Sequence, residues 1–295
     1  MQESTAHTAA VWVASLVLAT SSLAADPVFR VKTWKEVSDQ RLSSLGARIR
    51  QADQERWRYA ESLHFIGFAY NLRDLETLIR QAEYAFAEVN RYLGIASGTG
   101  KTRIFLVQND KLWDSLMRGE GLRPDGLAFQ YQDEIYLKAD EVQAARPDRV
   151  AHEIVHVRLR SAYPGGIPLW IDEGMANFLG WNIAEAYGRL QAKDLSRHLV
   201  AVDPGLVVGL NELASRNVYP DDPAAAQAYY RQTEELVRAV HEQLRDDRMK
   251  EFVAAACRSN VSLREMLKLE FGYSDENLDR LEKTVRERST MDRSL

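Results

Sequence analysis

Residues 150–159 read Val-Ala-His-Glu-Ile-Val-His-Val-Arg-Leu, and the residue types able to do chemistry concentrate here. His152 and His156 stand four positions apart. On a helix that spacing puts both imidazoles on one face, one turn apart, within reach of a single ion. Zinc–nitrogen distances of about 2.0–2.1 Å suit such a pair without distorting the helix. Glu153 follows the first His and sits beside the pair rather than between them. From there its carboxylate can lean over a bound metal's open position and act as general base for a water. Ile154, Val155, Val157 and Leu159 predict that this helix is largely buried. Two imidazoles and a carboxylate on a buried helix are costly without partners, and a cation supplies the compensation.

Catalytic zinc usually takes three protein ligands and a water, so two His leave the set incomplete. The next segment, Leu-Trp-Ile-Asp-Glu-Gly-Met-Ala-Asn over 169–177, offers the third. The Gly-Pro-rich turn before it would fold a second helix back against the first. Glu173 lies on that helix 17 positions after His156, and Asp172 is the competing carboxylate one position earlier. Adjacent helical residues point about 100° apart, so only one of the two can ligate. Asn177 lies four residues after Glu173 and is a candidate to hydrogen-bond a ligand His. His64, His198 and His241 have no partner at ligand spacing and read as structural or surface residues.

The elements that must position these groups follow from periodicity. Leu63 to Ala69 reads as a strand, and Asn71 as the cap of a helix to about Leu93, stopped by Gly94. Thr102 to Gln108 reads as a buried strand and Asp110 to Met117 as a short helix. Gly126 to Tyr131 and Glu134 to Lys138 form a hairpin around Gln132-Asp133. Pro147 suits the first turn of the helix bearing His152, which runs to about Ser161 before Tyr163-Pro164-Gly165-Gly166 breaks it. Beyond Ile183 almost everything reads as helix, interrupted near Asp203-Pro204-Gly205 and Tyr219-Pro220. Strands first and helices later predict an α+β fold: a small mixed or antiparallel sheet with helices packed on it, a metal-binding helix pair, then an all-helical C-terminal subdomain. The expected division is a signal peptide over 1–24, an N-terminal helical arm over 25–60, an α+β subdomain over 61–163 and a helical subdomain over 164–295.

Composition bounds the alternatives. The chain has 295 residues, 45% hydrophobic and 27% charged, with net charge −5, enough to bury a sizeable core and unlike a disordered or collagenous chain. No basic stripe recurs, which argues against a nucleic-acid partner. The one cysteine, Cys257, excludes an intramolecular disulfide framework and reads as an inert core residue. Residues 8–25 carry no charge and end in small residues before Asp26-Pro27, the pattern of a secretory signal peptide and hence of an exported protein; a short N-terminal membrane anchor and a buried helix are the alternatives. Gly94 to Thr102 imitates a phosphate-binding loop but has five residues where that motif has four. A helix also precedes it and a strand follows, the inverse of the required context, so no nucleotide is expected. The charge-laced segment Leu278 to Arg293 reads as a solvated terminal helix.

His-Glu-Ile-Val-His followed by Trp-Ile-Asp-Glu-Gly-Met-Ala resembles the gluzincin zinc metallopeptidases, and most closely their peptidase MA-like branch. The similarity covers about residues 60 to 245. It includes the hairpin before the first motif and a later Tyr-Arg-Gln-Thr at 230–233. The resemblance implies a zincin, thermolysin-like fold, with one zinc ion held by His152, His156 and Glu173 and Glu153 as the base. The later Tyr, which helps bind the oxyanion, falls on Tyr230 by that match. Periodicity alone does not separate Tyr230 from Tyr229. The strand over 126–131 resembles the family's edge strand, on which an extended peptide lies by β-addition. The implied substrate is a peptide or protein, and the absence of a Gly-x-Met-Glu-Asn segment points to an endopeptidase or a protein-specific peptidase. The alternative is a zinc-containing domain with another amide substrate, or one with a binding or assembly role in the cell envelope.

Overall fold

Short runs of aromatic and β-branched residues build a mixed six-stranded sheet. Its strands are β1 (Arg30–Lys32), β2 (Arg58–Glu61), β3 (Phe65–Ala69), β4 (Thr102–Val107), β5 (Ala128–Tyr131) and β6 (Glu134–Lys138). The computed structural model describes residues 29–37, 41–96, 100–119, 126–140, 144–192 and 198–294. The segment read as a signal peptide therefore lies outside the described residues, as do residues 97–99 of the glycine-rich turn. The strand order is β1-β2-β3-β4-β6-β5, with β3, β4 and β6 parallel and the remaining pairings antiparallel. The β5–β6 hairpin pairs Tyr131 with Glu134, and Gln132 takes a left-handed conformation in its turn. Among the described residues β5 is an edge strand, bonded only to β6 within the sheet.

The period-two alternation of the central strands divides the core. Phe68, Phe105 and Tyr136 face one side, stacking from strand to strand at 4.0 and 5.1 Å between ring centroids. They are covered by Leu45 and Ile49 of α1 (Ser44–Ala52) and by Trp113 and Leu116 of α3 (Asp110–Gly119). Ile104, Leu106, Ile135 and Leu137 face the other side. There they meet α2 (Leu72–Leu93), α4 (Pro147–Ala162), α5 (Leu169–Leu190) and α7 (Pro223–Arg258) in one continuous apolar cluster. That cluster runs from Ala60 to Val285, across the boundary expected at 163/164. α6 (Leu210–Ser215), α8 (Leu263–Phe271) and α9 (Asp275–Ser289) complete the helical half, and a short pair, β7 (His198–Leu199) with β8 (Arg293–Ser294), closes on it.

The caps read from sequence are in place. The Asn71 side chain accepts from the Asp74 amide at 2.9 Å, and α2 ends at Gly94 in the left-handed conformation. α7 is broken at Arg245, whose φ of 62° is not helical, and His241 and Asp246 meet across the break at 2.6 Å. The expected helical arm over 25–60 needs correction: it contains α1 but also β1 and most of β2. Residues 58–61 read as polar and helix-forming, yet four backbone pairings with β3 hold them extended. Local propensity gives way to the ladder, and the sheet is correspondingly larger than expected. The fold is α+β, as the element order predicts.

Candidate metal centre

α4 begins at Pro147, whose missing N–H costs nothing in a first turn. Two turns in, His152 and His156 share a face, with their Nε2 atoms 3.0 Å apart. The turn over 163–168, with Gly166 at positive φ, reverses the chain so that α5 packs along α4. Two glycines set how closely α5 can approach. A Cβ on Gly180 would lie 2.9 Å from the backbone nitrogen of His152, and one on Gly174 would lie 2.6 Å from the carbonyl oxygen of Thr233 on α7. Helix α5 is thus wedged between α4 and α7 by residues that leave no room for a side chain.

That wedge carries Glu173 to the imidazoles. Its Oε2 is 3.7 Å from His152 Nε2, and its Oε1 is 3.6 Å from His156 Nε2. The three donor atoms lie within 4.8 Å of one another. Asp172, the competing carboxylate, points elsewhere: its Oδ1 is 2.6 Å from Nδ1 of His156, and its Oδ2 accepts from Arg160 at 3.1 Å. Asp172 thereby leaves the His156 Nε2 lone pair for the cluster, the usual arrangement behind a metal-bound imidazole. Arg160 also donates to the side chain of Gln130 on the edge strand β5 at 2.7 Å.

The electrostatics of the site follow from burial. Glu153 is only 5% exposed, and burial pushes its carboxyl up to about 7, with the charge on His156 opposing. Burial alone would lower His156; Glu173 and Asp172 outweigh it and raise the imidazole to about 9. Burial likewise raises Glu173. The Oε2 atom of Glu173 is buried with no hydrogen-bond donor among the described residues. An anionic oxygen so placed needs a positive partner. Two imidazole nitrogens and a carboxylate oxygen converging around such an atom form a donor set that suits zinc.

The tyrosines separate in a way that periodicity did not. Tyr229 is buried in the core, and its hydroxyl has no hydrogen-bond partner among the described residues. Tyr230 is half-buried, its ring centroid 5.9 Å from that of Tyr219. Tyr219 itself, read from sequence only as a helix interruption, donates its hydroxyl to Oε1 of Glu173. It lies between α6 and α7, where no helical repeat marks it. Asn177 does not take the role expected of it: its Nδ2 is buried and bonds to no described residue. Asp172 holds His156 instead. His64 pairs with Glu83 at 2.7 Å and stacks on Phe86; His241 pairs with Asp246. Cys257 is half-buried against the core, its thiol raised by burial to about 11. Among the described residues no helix is long and apolar enough to cross a membrane. The chain matches no protein-family model and no curated protein.

Proposed function

We propose that this chain is a zinc-dependent hydrolase of peptide bonds, a metallopeptidase of the gluzincin type on a thermolysin-like fold. One observation carries the reading: His152, His156 and Glu173, named by motif spacing, meet within 4.8 Å, with Glu153 buried next to His152 in the chain. His152, His156 and Glu173 would hold the ion. When bound, zinc supplies Lewis acidity toward a carbonyl and acidifies water.

The chain's own residues then divide the work. Asp172 fixes the His156 ring by accepting at Nδ1. Glu153, buried next to His152 in the chain, would accept the proton of the attacking water and deliver it to the leaving amine, the role of a general base and acid. Tyr230 donates to the developing oxyanion, a contact typically worth about 3–4 kcal/mol. The open edge of β5 offers backbone groups to an extended peptide substrate. The uncharged segment over 8–25 supports an exported enzyme.

The test is Glu153→Gln in the full chain, assayed on a broad peptide library alongside zinc content. The variant retains zinc and loses hydrolysis by about 10²–10⁴-fold. Hydrolysis at the wild-type rate would remove Glu153 from the chemistry; wild-type cleavage that survives a chelator would remove the metal.

A further inference from the structure

We propose that Tyr219 is a positioning residue for Glu173, pinning one carboxylate oxygen so that the other alone meets the cation. This deepens the metal-hydrolase reading and rests on it. Tyr219 is 40% exposed, on the linker between α6 and α7, yet its hydroxyl reaches a carboxylate only 3% exposed. It bonds Oε1, and Oε2 has no donor among the described residues. A carboxylate has about four lone-pair sites and can grip a metal through one oxygen or both. With Oε1 engaged by an O–H group, single-oxygen ligation is the favoured mode, and it keeps the coordination number low. The ligand trio is then braced from two sides: Asp172 fixes His156, and Tyr219 fixes Glu173.

The ring of Tyr219 leans on Tyr230, whose carbonyl accepts from the Thr233 hydroxyl at 3.0 Å. Thr233 is also the residue against which Gly174 packs.

Tyr219→Phe keeps the ring and removes only the donor. Zinc affinity is measured in the full chain by competition with a chelator, and the geometry by the visible spectrum of the protein loaded with Co2+. Zinc binding weakens by about 10–100-fold, the usual effect of losing a group that orients a ligand. The cobalt bands lose intensity as Glu173 turns to grip with both oxygens. Val218→Ser, on the exposed neighbour, leaves both readouts at wild type. The metal-free melting temperature of Tyr219→Phe also stays at wild type. Unchanged affinity and spectrum in Tyr219→Phe would overturn the proposal, as would an equal loss in Val218→Ser or a metal-free variant that no longer folds. Wild-type protein that takes up neither Zn2+ nor Co2+ would instead overturn the metal reading itself, and this inference with it.

Discussion

Asp172 Oδ1 lies 2.6 Å from Nδ1 of His156, so the carboxylate that periodicity offered as a rival ligand braces one of the candidate imidazoles instead. Asp172→Ala would leave that ring nitrogen without its acceptor and free the ring to turn. The expected result is zinc binding weaker by about 10–100-fold, read by chelator competition. Affinity equal to wild type would mean that His156 is oriented by packing alone.

Gly174 admits no side chain. A Cβ there meets the Thr233 carbonyl oxygen at 2.6 Å and the Val237 side chain at 2.7 Å, and the backbone contact cannot be relieved by a rotamer change. Gly174→Ala should cost about 1–3 kcal/mol, the usual penalty of overpacking, and displace Glu173 as α5 shifts. Urea unfolding measures the first effect and zinc affinity the second. Gly165→Ala is the control, since nothing lies within 4 Å of its added carbon. Equal stability of the two variants would contradict the wedge.

The metal-free protein should lose stability as pH rises. Burial raises Glu153 from 4.5 to about 7; burial opposes charge on His156, but Glu173 and Asp172 raise it from 6.5 to about 9. Both groups hold protons more tightly in the fold than in the unfolded chain. The stability they contribute is complete below their unfolded values and disappears as pH climbs through 7 and then 9. A bound cation requires both imidazoles unprotonated, so its stabilising effect runs the other way. Thermal melts between about pH 5 and 9 should show a falling metal-free Tm and a widening gain on adding zinc. A metal-free Tm that rises across that window would refute the proton balance at the site.

The site was legible where it rests on local repeats. His152 and His156 follow from helix spacing, and one short turn brings the pair Asp172 and Glu173 within reach; the structure gathers His152, His156 and Glu173. The rival carboxylates could not be ranked without the rotation of α5 about its axis, which Gly174 and Gly180 set through contacts remote in sequence. Tyr219 left no trace because a linker residue has no period, and its partner lies 46 positions away. The fold was legible in its strongly periodic elements, such as α2 and the β5–β6 hairpin. It was not legible at β1 and β2, whose short polar runs acquire strand character only from their neighbours.

Because the donors come from both sides of the turn at 163–168, neither helix of the pair holds the full trio by itself. A cation gripped by all three is therefore a reporter of docking. In a refolding experiment with Co2+, colour would develop only after α5 has seated against α4, which makes uptake a clock for one defined packing event rather than for helix formation.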